Sequence, residues 1–150
     1  MYDENMKIIL TSDIHGNHEI IEKIVNMHPT ADLFLDAGDS EMPPLLLRPF
    51  ISVKGNCDYH PDLLNNLTLS TPYGKLYIQH RPTIPYSVLQ NEEIMIIING
   101  HTHIPAIQKI KNVYFLNPGS VSYPRGGNVG TYMELDITID GVKVQVKELI

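Results

Sequence analysis

The sequence predicts an α/β fold in which two β-sheets pack on each other, and three observations carry that expectation. The apolar run Lys7-Ile8-Ile9-Leu10-Thr11-Ser12 ends in the polar cluster Asp13-Ile14-His15-Gly16-Asn17-His18, as a buried strand with polar residues at its exit does. Short apolar runs then alternate with helix-period or Pro/Gly-bounded segments through the first two thirds of the chain. The last third holds four extended segments and no helix pattern.

Each element has its own local reason. Alternation along the first strand is expected to bring Asp13 and His15 to one side and to turn Ile14 inward. Ile20, Ile21, Ile24, Val25 and Met27 recur near i, i+3, i+4, i+7, which predicts an amphipathic helix over 18–27 with Asn17 as N-cap and Pro29 as its stop. Residues 32–37 predict a short buried strand running into Gly38-Asp39-Ser40, and residues 45–47, between Pro43-Pro44 and Pro49, one or two helical turns. A third strand over 50–53 leads to Gly55-Asn56-Cys57-Asp58. Segments 67–70 and 75–79 flank Pro72-Tyr73-Gly74 as a hairpin whose second arm delivers His80. A short helix is expected over 85–90, with Pro85 near its first turn, and a central strand over 93–98 that ends in Asn99-Gly100-His101-Thr102-His103.

Segments 106–110, 113–116, 132–139 and 142–149 read as strands, with Asp140-Gly141 a hairpin turn signal. They predict a second sheet, mostly antiparallel at its end, packed on the first. Asn117-Pro118-Gly119-Ser120 and Pro124-Arg125-Gly126-Gly127 are loops.

The chain of 150 residues has the length of one domain spanning 1–150, and 43% hydrophobic with 19% charged residues is a globular composition. No apolar stretch approaches the ~20 residues that span a bilayer, so no membrane partner is expected. The acidic start Met1-Tyr2-Asp3-Glu4-Asn5 lacks signal-peptide regions, which makes the cytoplasm the expected location. One cysteine, Cys57, excludes an internal disulfide framework and a cysteine-based structural zinc cage. A net charge of -6 without a Lys/Arg run or Trp leaves no duplex nucleic-acid footprint, while homo-oligomers stay open.

Collected in order, the polar strand exits hold Asp13 with His15, Asp39, Asn56 with Asp58, His80, and His101 with His103. His18, His28 and His60 read as surface or capping residues. Mixed carboxylate, amide and imidazole donors suit manganese, iron, nickel or zinc better than calcium, and the ligand count implies two ions. Cys57 does not make a cysteine phosphatase, since the residues after it as far as Leu64 lack the arginine that chemistry needs, and Asp58 and Asp62 disfavour a thiolate.

These motifs, with Gly38-Asp39, Gly55-Asn56-Cys57-Asp58 and Gly100-His101-Thr102-His103 in this order, resemble those of the calcineurin-like metallophosphoesterases over residues 7 to about 125. The small bacterial and archaeal phosphodiesterase branch, to which the retromer subunit Vps29 is also similar, has a loop like Asn117-Pro118-Gly119-Ser120. The resemblance implies a four-layer sandwich of two packed mixed β-sheets flanked by helices, with two divalent metal ions, manganese first, at one rim. One ion would take Asp13, His15 and His103, and the other Asn56, His80 and His101, with Asp39 bridging.

The implied reaction is hydrolysis of a small phosphodiester or phosphoester by in-line attack of a metal-bound hydroxide. Asn56, Asp58 and His101 are assigned to catalysis, and Arg81, Arg125 and Cys57 to the substrate. A Vps29-like binding scaffold with weak or no catalysis is the other reading. Two positions depart from the family pattern: Cys57 replaces the histidine that many members use as proton donor, and Arg81 replaces a glycine.

Overall fold

A computed structural model describes residues 5–125 and 129–149, so residues Met1 to Glu4 of the acidic start and the Gly126-Gly127 end of one predicted loop lie outside the described residues. The element order is β1 (Met6–Thr11), α1 (His18–Met27), β2 (Leu33–Asp36), α2 (Pro44–Leu47), β3 (Phe50–Ser52), β4 (Asn66–Thr71), β5 (Gly74–Gln79), α3 (Tyr86–Leu89), β6 (Ile94–Ile98), β7 (Ala106–Ile110), β8 (Val113–Asn117), β9 (Gly130–Thr138) and β10 (Gly141–Leu149). The strands form two five-stranded sheets, β10-β9-β1-β2-β3 and β4-β5-β6-β8-β7. Both are mixed: β1, β2 and β3 run parallel, as do β5, β6 and β8, while β9 pairs antiparallel with β1 and β10, β4 with β5, and β7 with β8.

The assignment of strands to sheets differs from the expected division. Strands β9 and β10 do not build the second sheet; β9 pairs antiparallel with β1, Ile8 opposite Leu135 and Leu10 opposite Met133. Ile8, Ile9 and Leu10 are all fully buried, so β1 needs a neighbour on each edge and a layer on each face. Alternation in the sequence reports a half-buried strand but not which edge it will cover. The terminal hairpin also closes one residue earlier than Asp140-Gly141, because Thr138 pairs with Gly141 around Ile139 and Asp140.

Three apolar layers result. Ile8, Leu10, Leu35, Ile78, Ile96, Ile98, Met133 and Leu135 fill the space between the sheets. Ile21 and Ile24 of α1 pack with Ile9, Phe34 and Phe50 on the outer face of the first sheet, and Ile84 and Val88 cover Tyr77, Ile94 and Ile97 on the outer face of the second. At about 25 cal/mol per Å² of apolar surface removed from water, this burial is the main term holding the sheets together. Helix α1 starts as predicted, the Asn17 side chain accepting from the Ile20 N–H at 3.4 Å. His28 caps its other end, with Nε2 2.7 Å from the Tyr132 hydroxyl. No described helix is long and apolar enough to cross a membrane.

Candidate metal centre

The parallel strands β1, β2, β3, β5 and β6 all discharge their polar residues at one rim, outside their carboxyl ends, where ligands of α/β sheets lie. Two donor groups form there, Asp13 with His15 and His103, and Asp39 with His80 and His101; within each group the ligand atoms lie within 4.8 Å of one another. Asn56 joins the second, its Oδ1 2.9 Å from His80 Nε2 and 3.1 Å from His101 Nδ1. The residues predicted as ligands thus meet at this rim.

Strand alternation is not what brings them there. Strand β1 stops at Thr11, and Asp13 and His15 each adopt left-handed backbone, φ +53° and +49°. Of the seven non-glycine residues with positive φ among the described residues, six are Asp13, His15, Asp39, Glu41, His101 and His103. Such conformations cost on the order of 1–3 kcal/mol each and persist where surrounding contacts over-determine them. Here those contacts are hydrogen bonds between loops: the N–H groups of Asp13, His15 and Gly16 donate to the carbonyls of Gly38, Asp39 and Ser40, tying the exits of β1 and β2 together.

Three histidines are oriented from behind. His80 Nδ1 lies 2.8 Å from the Ala37 carbonyl, His103 Nδ1 2.7 Å from the Tyr123 carbonyl, and His15 Nδ1 2.5 Å from Glu41 Oε1. An oxygen acceptor calls for a proton on Nδ1, which turns each Nε2 toward the rim as the atom that would ligate a cation, the place that His80 Nε2 gives here to Asp39 at 3.1 Å. Those three Nε2 atoms stand 3.9, 3.2 and 3.8 Å from Asp13 Oδ1. That oxygen is fully buried and accepts no hydrogen bond among the described residues. A buried carboxylate oxygen with no donor, ringed by three imidazole nitrogens, is costly unless a cation lies among them, so these residues fit divalent metal.

Burial works against an ionised Asp39, but hydrogen bonds from His80 and from the Cys57 N–H (2.7 Å) hold its carboxyl below the usual range. His80 shows the converse: burial lowers it, and Asp39, 3.1 Å away, more than restores it, so that the ring is raised. His101 is lowered by burial and then by the charges of His80 and Arg81, which sets Arg81 within electrostatic reach of the rim. The Cys57 thiol is pushed up by burial and by Asp39 and Glu41.

Asp58 is buried, and both its oxygens are occupied by backbone: Oδ2 accepts from the N–H groups of Asp39 and Gly55, Oδ1 from that of Glu41, all at 2.8 Å. Glycine is required at position 55 beside it, because a Cβ on Gly55 would overlap the Asp39 carboxylate. Arg81 and Arg125 are exposed. The Arg125 N–H donates to the His103 carbonyl at 3.1 Å, and neither arginine side chain has an ion-pair partner among the described residues.

Several contributors at the rim carry no predicted role. Glu41 orients His15 and completes a third cluster of donor atoms with His15 and Cys57. Asn117 donates to the Gly100 carbonyl and to Thr102 Oγ1, and the Ser120 and Ser122 hydroxyls donate to the carbonyls of Asp13 and Ile14. The loop after β8 therefore clamps the exits of β1 and β6. Its Asn-Pro-Gly-Ser run is a signal that the sequence offers; for Glu41 it offers none.

Known proteins similar to this chain share its architecture. Residues 6–140 match the calcineurin-like phosphoesterase superfamily domain. The probable metallophosphoesterase YsnB of Bacillus subtilis (strain 168) is 30% identical, over 93% of this chain and 89% of its own. The phosphodiesterase YfcE of Escherichia coli (strain K12) is 26% identical, over 87% of this chain and 88% of its own. A crystal structure of a conserved protein from Streptococcus pneumoniae TIGR4, described as a predicted phosphoesterase, superposes with a TM-score of 0.79 at 26% identity, over 96% of this chain and 99% of the other. With the fold, the donor set and the match over 6–140 in agreement, the chain belongs to the calcineurin-like phosphoesterase superfamily.

Proposed function

We propose that this protein is a metal-dependent phosphodiesterase acting through two divalent ions, one on Asp13, His15 and His103 and one on Asn56, His80 and His101, with Asp39 between them. The observation that carries the reading is the pair of adjoining donor groups around the orphaned Asp13 oxygen. When bound, two divalent ions supply the charge that acidifies a water and that stabilises the charge gathering on phosphoryl oxygens.

The chain's own residues do the rest. Asp13 and Asp39 offset the repulsion between the cations, and the fixed tautomers of His15, His80 and His103 spare the site reorganisation when it loads. Arg81 and Arg125 bind phosphoryl oxygens of the substrate. Asp58 is a positioning residue that holds the amides of Asp39, Glu41 and Gly55. The water oxygen bonds to phosphorus as the bond to one ester oxygen breaks, releasing an alcohol and a phosphomonoester. The reading takes residues 1–150 as one domain and a small phosphoester as the substrate.

A binding scaffold needs neither oriented imidazoles nor strained ligand backbone, and both are present. The test is turnover of bis(p-nitrophenyl) phosphate by protein stripped with a chelator and reloaded with manganese, nickel or zinc. Turnover that rises with metal up to two equivalents per chain supports the proposal, and turnover indifferent to metal sinks it.

A further inference from the structure

Two cavities flank the turn over 55–58, and their linings differ in charge. The first, about 400 Å³, is lined by Gly55, Asn56 and His80 of the rim and by Lys54, Asn66 and Arg81, and among the described residues no carboxylate lines it. The second, about 440 Å³, holds Glu41 and Asp58 beside Met42, Tyr59 and Leu63. In a chain of net charge -6, a cavity with two cations and no acid among its described lining residues is a local reversal of the protein's field.

Four donor side chains of the first cavity are unspent among the described residues. Neither Lys54 nor Arg81 has an ion-pair or hydrogen-bond partner for its side chain among the described residues, and the same holds for the Asn65 and Asn66 amides. Arg81 is also propped from below: buried Gln79 donates to the Arg81 and Thr83 carbonyls at 2.6 and 2.8 Å, and the Tyr77 hydroxyl donates to Gln79 Oε1 at 2.5 Å. Donors held on a fixed base suit an oxygen-rich anion. The volume admits a sugar phosphate, within the range of about 300–1,000 Å³ usual for small-molecule sites.

We infer that this cavity binds a second phosphate carried on one arm of the substrate diester, with Lys54 and Arg81 as its cationic partners, while the other arm lies toward the more apolar cavity beside Cys57. The inference rests on the phosphodiesterase reading and names its substrate class: diesters of a phosphorylated sugar or similar polyol. A bare diester carries no second phosphate to engage Lys54 and Arg81 together.

The experiment compares two chromogenic diesters, thymidine 5'-(p-nitrophenyl phosphate) with a free 3'-hydroxyl and the same compound with a 3'-phosphate. Wild type should prefer the phosphorylated diester by about tenfold or more in kcat/KM, the scale of one or two charged hydrogen bonds. The ratio should fall toward one in the Lys54→Met/Arg81→Met double variant. Asn66→Asp, which places a carboxylate in the cavity, should also lower it.

In parallel, calorimetry on the full chain without metal should find thymidine 3',5'-bisphosphate bound more tightly than thymidine 5'-monophosphate, a difference that the double variant loses. Equal kcat/KM and equal affinity in wild type, or a preference that survives in the double variant, would overturn the inference. Failure to hydrolyse either diester under any metal would instead count against the phosphodiesterase reading, and the calorimetric comparison would still decide the cavity.

Discussion

The Nδ1 of His15 lies 2.5 Å from Oε1 of Glu41, a residue 26 positions away that belongs to no motif. Glu41 itself sits at φ +55°, and its N–H is held by Asp58. The carboxylate fixes the His15 tautomer and raises the basicity of the nitrogen that faces Asp13.

Loss of that contact should therefore be read in metal affinity. Glu41→Gln, which keeps the shape and removes the charge, is expected to weaken manganese binding by about 10–100-fold, the usual effect of losing an outer partner to a ligating histidine. Calorimetric titration of the chelator-stripped variant measures it; affinity equal to wild type would show that Glu41 does not orient His15.

Asp39 should be the most sensitive single ligand position. Asparagine there keeps the volume but removes the charge that offsets repulsion between two cations. Asp39→Asn is expected to bind fewer than two ions and to lose more than about 100-fold in kcat/KM, beyond the upper end for an outer partner. Near-full turnover with two ions retained refutes the bridging assignment.

Cys57 is held as a thiol by burial and by Asp39 and Glu41, and its N–H donates to Asp39 Oδ1 at 2.7 Å. Cys57→Ser should leave diester hydrolysis within about twofold, since a spectator thiol contributes no proton transfer. Cys57→His should raise hydrolysis of alkyl monoesters, up to the ~10²–10⁴-fold that a general acid can supply. Matched aryl and alkyl ester series across the three proteins check both, and a large loss in Cys57→Ser would show direct participation of the sulfur.

Asp36 governs part of the pH dependence of stability in the metal-free protein. Burial raises its carboxyl from 3.8 to about 7, against hydrogen bonds from Ser52, Thr11 and the Gly38 N–H, with Asp13 the charge that adds to the rise. Between those two values the folded chain keeps a proton that the unfolded chain has released, so this group's contribution is complete below pH 3.8 and lost as pH rises toward 7. The full effect is on the order of 4 kcal/mol at about 1.4 kcal/mol per unit. Asp36→Asn, neutral throughout, should flatten the fall in Tm across that window; an unchanged slope would assign the fall to other groups.

Short-range features are legible in the chain without its fold. The strands, the α1 helix with its Asn17 cap, and the donor residues at strand exits follow from periodicity, breakers and motif order within stretches of a few residues. These signals are written by side chains next to one another in the chain. Even the clamp at Asn117 left a trace of that kind.

Which distant stretches meet is settled in three dimensions. Strand β9 lies beside β1 because fully buried Ile8, Ile9 and Leu10 need a second neighbour, and no feature of residues 130–138 alone names that edge. The left-handed backbone at Asp13, His15, Asp39, His101 and His103 has no glycine or asparagine to announce it. It is imposed by hydrogen bonds from neighbouring loops, and those loops are neighbours only because the apolar faces of two sheets pack together. Glu41 faces His15 for the same reason: burial fixes where the strands end, and the strand ends fix which polar atoms must share a rim.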